Sequence, residues 1–125
     1  MQIKDISQAF LYHLQWKSQL RDFVEGKGDF NVDEISPEGC ELGKWLSSDE
    51  MKQYSSNSNI QELVLAHNKL HETAKRVYDL KLLGQNYSAQ QELSNIVKSS
   101  MKIYSLLNAL SILTESDSFT LSSVL

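Results

Sequence analysis

The 125-residue sequence contains few of the residues that build turns and cross-links. One proline and five glycines argue against a loop-rich chain or a β-sandwich and favour long helices. The single cysteine excludes an internal disulfide and suits the reducing conditions of the cytoplasm. The N-terminus lacks the apolar core of a signal peptide, and no run approaches the roughly 18 apolar residues of a membrane span. Together with the length, these absences predict one globular helical domain.

Positive charge is also in the minority. The chain has 12 basic and 16 acidic residues, a formal net charge of −4 and a pI of about 5.3. A protein that binds nucleic acid or an anionic membrane surface ordinarily carries a basic surplus, so neither partner is expected here. Hydrophobic residues make up 41% and charged residues 22%, which is typical of a folded domain and not of a disordered chain.

Three segments carry a helical hydrophobic period. Apolar residues recur at spacings of three and four over residues 6–24, about 59–83 and about 88–114, which predicts three long amphipathic helices. Residues 29–59 have no sustained period, and we expect a turn followed by short helical pieces there. The sequence therefore predicts an all-α, antiparallel four-helix bundle in which a short helix and loop segment crosses between the first and the next long helix.

Capping residues indicate where the long helices begin and end. Ser58 and Gln61 have the spacing of a capping box at the start of the second long helix, and Gly84 is expected to end that helix. The same spacing recurs at Ser88 and Gln91, before the last helical period.

We assign residues 1–115 to the bundle domain and residues 116–125 to a polar tail that is partly ordered at best. The 125 residues contain no recognisable methyl-accepting coiled coil or cyclase domain. A signal is therefore expected to pass to a partner or through self-association, and Met1 favours a native N-terminus over a cut.

All three histidines lie on apolar stripes. His67 and His71 share one helix face at the i, i+4 spacing, and His13 follows Phe10 on the stripe of the first helix. A bundle could bring these imidazoles together with Cys40, and three nitrogens with one thiolate would complete a tetrahedral zinc site. The alternative is that each histidine is an ordinary core residue with its hydrogen bonds satisfied.

Three short motifs resemble one known family. His-Leu-Gln-Trp-Lys at 13–17, Cys-Glu-Leu-Gly-Lys-Trp-Leu at 40–46 and His-Asn-Lys-Leu-His at 67–71 occur in the order found in the chemoreceptor zinc-binding (CZB) domain. This family occurs in bacterial chemoreceptors, in some diguanylate cyclases and as stand-alone proteins, and the resemblance extends over residues 6–110. It implies a four-helix bundle, a cytoplasmic setting, frequent homodimers and one zinc ion with the ligands His13, Cys40, His67 and His71.

The residues argue against catalysis. A zincin has glutamate directly after the first histidine of the pair, whereas this chain has Asn68, and Glu72 points off the stripe. Four protein ligands would also leave no place for a reacting water, so we do not expect an enzyme.

Two functions for the zinc stay open. One is a purely structural ion, in a protein-interaction module or a zinc buffer. The other, which the resemblance implies, is a sensory domain in chemotaxis or cyclic-di-GMP control, with a chemoreceptor or a diguanylate cyclase as its signalling partner. Its signal would be zinc occupancy or oxidation of the Cys40 thiolate by oxidants such as hypochlorous acid.

Overall fold

The computed structural model describes the backbone of residues 5–124 and the side chains of residues 5–112. Within this part of the chain every regular element is helical, which confirms the all-α class, while the antiparallel four-helix arrangement stays a prediction. None of the described helices has an apolar stretch long enough to span a bilayer. In chain order the elements are α1 (Ile6–Val24), a 3₁₀ helix (Val32–Ile35), α2 (Glu41–Leu46), α3 (Asp49–Lys52), α4 (Ser58–Leu82) and α5 (Asn86–Val124).

Three long helices enclose the core. Only residues 83–85 join α4 to α5, so the two helices reverse direction and pack as an antiparallel pair, and α1 packs against both. Each helix contributes the apolar face that its period predicts. The fully buried side chains of this core include Leu20, Leu63, Leu70, Val77, Ile96, Ile103 and Leu107.

The ends of α4 show where the capping prediction holds. Gly84 follows the helix with φ +77°, a left-handed conformation that glycine adopts without steric cost, and its predicted role at the helix end is confirmed. The predicted capping box at Ser58 is wrong, and the N-cap lies one residue earlier. Asn57 is the N-cap, and its side chain accepts hydrogen bonds from the backbone N–H groups of Asn59 and Ile60.

The last helix differs from its predicted limits at both ends. It begins before Ser88, because the carbonyl of Gln85 already accepts a helical hydrogen bond from the Ala89 N–H, so the second capping box is also wrong. Its backbone stays helical beyond Thr114, to Val124. The division of the chain into a domain and a polar tail stays a prediction.

The segment between α1 and α4 packs against both helices. Its 3₁₀ helix contacts α4, and α2 contacts α1 and α4. Gly43, in α2, allows this close approach, because a Cβ atom there would lie 2.0 Å from the Pro37 carbonyl oxygen and 3.1 Å from Cε1 of His67. The first turn of α2 is therefore held tightly between the preceding turn and α4.

We expect Gly43→Ala to lower the free energy of unfolding of the metal-free protein by about 1–3 kcal/mol, since the added methyl group meets backbone atoms that cannot turn aside. Gly28→Ala is the matched control, because a Cβ atom at Gly28 meets nothing within 4 Å. It should change the free energy by less than about 0.5 kcal/mol. Urea denaturation followed by circular dichroism measures both values, and equal values would contradict the packing argument.

Candidate metal centre

Three of the four predicted ligands meet in the interior. Cys40 lies at the N-cap of α2, and His67 and His71 lie one turn apart on α4; each is only 2% exposed. Nε2 of His67 is 3.6 Å from Sγ of Cys40 and 3.1 Å from Nε2 of His71. All three donor atoms lie within 4.8 Å of one another. They therefore surround a single point between α2 and α4.

A backbone hydrogen bond sets the tautomer of His71. Its Nδ1 lies 2.7 Å from the carbonyl oxygen of Ile35. Because a carbonyl oxygen can only accept, the ring hydrogen is on Nδ1 and the Nε2 lone pair is directed at His67. In the metal-free protein Nε2 of His67 supplies the hydrogen between the two rings. A metal ion would replace that hydrogen and be held by both nitrogens.

The spacing of the donor atoms fits zinc. With Zn–N distances of about 2.0–2.1 Å and a Zn–S distance of about 2.3 Å, tetrahedral angles place two nitrogens about 3.3 Å apart and a nitrogen about 3.6 Å from sulfur. The observed separations are 3.1 Å and 3.6 Å. Imidazole and thiolate are also the ligands that zinc prefers, whereas magnesium and calcium prefer oxygen.

The fourth predicted ligand, His13, is buried on α1 but does not join this cluster. It is 2% exposed, and its Nε2 lies 2.9 Å from Oγ of Ser100 on α5. It is near enough to the cluster that a positive charge on His71 would oppose one on His13. The structure thus brings three ligands together, and the complete set of four stays a prediction.

Comparison with known proteins agrees with this chemistry. Residues 13–78, more than half of the chain, match the family model described as the chemoreceptor zinc-binding domain. The chain belongs to this CZB family. No curated protein and no solved structure matches the chain. Membership identifies zinc as the metal, and the cluster of Cys40, His67 and His71 could bind it.

Burial keeps every group of this CZB centre uncharged when no metal is bound. Burial lowers the pKa of His13 to about 4 and that of His67 to about 3, and it also lowers the pKa of His71. Burial raises the pKa of the Cys40 thiol, although the nearby backbone N–H groups of Gly43 and Leu42 lower it in part. At neutral pH the imidazoles are therefore ready to bind a cation, and the thiol still carries its proton.

A network that the sequence did not predict joins α1 to the segment around Cys40. The Tyr12 hydroxyl donates to the carboxylate of Glu34 and accepts a hydrogen bond of 3.2 Å from the backbone N–H of Glu41. One turn further along α1, Nε1 of Trp16 donates to the backbone carbonyl of Glu34 at 3.0 Å. Both ends of the segment that contains Cys40 are thus fastened to α1. The only sequence signal for Tyr12 is its place beside His13.

An open cleft leads from solvent to one edge of the centre. The cleft lies between α4 and the turn that precedes α2. His71, Glu38 and Glu72 are among the residues that line it. Both carboxylates are exposed, and neither forms an ion pair within residues 5–112. Lys75, which pairs with Asp79, is the one basic residue that lines the cleft, so the side from which a cation would reach the histidines carries a net negative charge.

We expect zinc binding at pH 7 to release about one proton, because the histidines are already neutral and only the Cys40 thiol must ionise. Calorimetry in two buffers with different ionisation enthalpies measures the number released. The affinity should consequently fall about tenfold for each unit decrease in pH. The Cys40→Ser variant should bind zinc more weakly and release almost no protons on binding. Identical heats in the two buffers for the wild-type protein would contradict this ligand chemistry.

Proposed function

We propose that the chain is a zinc-binding regulatory domain of bacterial signal transduction whose state depends on the bond between zinc and Cys40. One observation carries this proposal. His67 and His71 lie within the long helix α4, whereas Cys40 lies at the start of a helix of six residues. Loss of the thiolate can therefore change the crossing segment, residues 25–57 between α1 and α4, without disturbing the long helices.

The proposed ligands are His13, Cys40, His67 and His71. The burial of His13 beside the cluster supports its inclusion, and it would have to exchange its hydrogen bond with Ser100 for the metal. Bound zinc keeps the thiol deprotonated. We propose no catalytic role, since the exposed side chain of Asn68 lies where a zincin has its carboxylate base.

Two signals can act through this one thiolate. Falling zinc availability empties the site, and an oxidant converts the thiolate to a sulfenic acid that binds zinc poorly. Either event removes the bond between the metal and Cys40, which is the only proposed ligand at α2. The short length of α2 supports either version, because few helical hydrogen bonds resist its displacement.

Family membership supports a proposal for the wider setting. We propose a cytoplasmic four-helix arrangement, with α2 and α3 in the fourth position, and output through a chemoreceptor or a diguanylate cyclase. We also propose a homodimer. A row of exposed apolar side chains on α5 supports it, since Val97, Met101 and Ile112 are 50%, 67% and 58% exposed on one helix face.

We expect purified wild-type protein, prepared without chelators or a metal-affinity column, to contain about one zinc per chain by elemental analysis. Cys40→Ala should lose most of it, because a three-nitrogen site without the thiolate holds zinc less tightly. Asn68→Ala, an exposed position between the two histidines, should keep the full content. Absence of metal from the wild-type protein would exclude the proposed function.

Oxidation should loosen only the crossing segment. After mild oxidant treatment of the zinc-loaded protein, we expect faster amide exchange over residues 29–57 and unchanged protection in α4. Cys40→Ser, which cannot be oxidised, is the control and should show no response. Loss of protection along the whole chain would instead indicate a purely structural zinc.

A further inference from the structure

The Tyr12 hydroxyl connects the side chain of Glu34 to the backbone of Glu41, on either side of the zinc ligand Cys40. It donates to Glu34 in the 3₁₀ helix and accepts from the N–H of Glu41, the residue directly after the cysteine. Tyr12 itself is 6% exposed and is fixed on α1 among core residues. Its position therefore does not depend on the segment that it holds.

Two other hydrogen bonds hold the start of this segment, from Trp16 to the Glu34 carbonyl and from His71 to the Ile35 carbonyl, but neither reaches the residues next to the thiol. Cys40 makes no side-chain capping hydrogen bond to α2, and its N–H is bound only to the Pro37 carbonyl of the same turn, at 3.3 Å. The contact of Sγ with His67 is a weak one in the absence of metal, since sulfur is a poor hydrogen-bond partner. The hydrogen bonds of Tyr12, one of them to a carboxylate, are the stronger attachments.

We propose that Tyr12 is a positioning residue for Cys40, and that its hydroxyl holds the thiol in place against His67 before the metal binds. The inference rests on the proposed function only in taking Cys40 as a zinc ligand. When the bonds of Tyr12 break, Trp16 still holds Glu34, but the backbone at Glu41 loses its hydrogen bond to α1 and Cys40 can turn towards solvent. Tyr12 thus sets how often the thiol is exposed and how fast the metal is lost.

Alkylation of the metal-free protein by iodoacetamide tests this inference directly. Cys40 is the only cysteine and is 2% exposed, so the rate of modification reports how often the segment opens. We expect Tyr12→Phe, which keeps the ring and removes the hydroxyl, to raise that rate about tenfold, the effect of losing a hydrogen bond to a charged group. An unchanged rate would overturn the proposal.

Tyr104→Phe is the matched control. The Tyr104 hydroxyl is also buried and close to the site, with the ring packed edge-on against His13, but it has no hydrogen-bond partner within the described residues. Its removal should leave the alkylation rate unchanged. Urea denaturation of all variants separates local from global opening. A rise in alkylation that merely equals the rise in the unfolding equilibrium constant would also overturn the proposal.

Cobalt provides a spectroscopic readout. In the cobalt-loaded protein, Tyr12→Phe should keep the thiolate-to-cobalt charge-transfer band, while release of the metal to EDTA becomes about tenfold faster. A wild-type protein without this band would overturn the proposed function, while the alkylation rates would still decide the positioning of Cys40. If Tyr12→Phe fails to fold, the alkylation rate of the Glu34→Gln variant tests the proposal instead. Its uncharged acceptor should give a smaller increase in alkylation, and no increase would overturn the proposal.

Discussion

The hydrogen bond between His71 and the carbonyl of Ile35 is the interaction on which the metal centre depends. It directs the lone pair of Nε2 into the cluster, and it ties the 3₁₀ helix to α4. Without it the imidazole could carry its hydrogen on the nitrogen that faces His67, and that tautomer cannot bind a metal there. Ile35 lies in the same segment as Cys40. Its carbonyl therefore fixes the tautomer of the His71 ring and also holds the segment that carries the thiol against α4.

Periodicity was sufficient to predict the long helices, because each must bury one face against the others. The limits of α1 are as predicted, and those of α4 differ by a residue. The capping errors have a physical cause. Asparagine and serine are equally good N-caps, so the choice between Asn57 and Ser58 depends on how the preceding segment enters, and that is a tertiary property. Likewise, the tight reversal at Gly84 starts α5 before the serine that the local spacing favoured.

The buried histidines were predictable because an imidazole on an apolar stripe is conspicuous. Tyr12 and Ser100 were not, since a tyrosine or a serine on such a stripe is usually read as ordinary packing. The partners of Tyr12 belong to a segment without a hydrophobic period, so no pattern indicates which of its residues face α1. Sequence reasoning therefore found the groups that can bind a metal and missed those that hold them in position.

The two ends of the link between Cys40 and His67 are 27 residues apart along the chain. Folding must bring these two residues together before an ion can join them, and the loop-entropy relation gives a cost of about 3.5 kcal/mol for a closure of this length. This cost grows only with the logarithm of the loop length, so doubling the loop would change it by about 0.6 kcal/mol. Ser55 and Ser56 are exposed between α3 and α4. Insertions at these serines would raise the cost only slightly, and the connection can vary in length while the metal centre keeps its geometry.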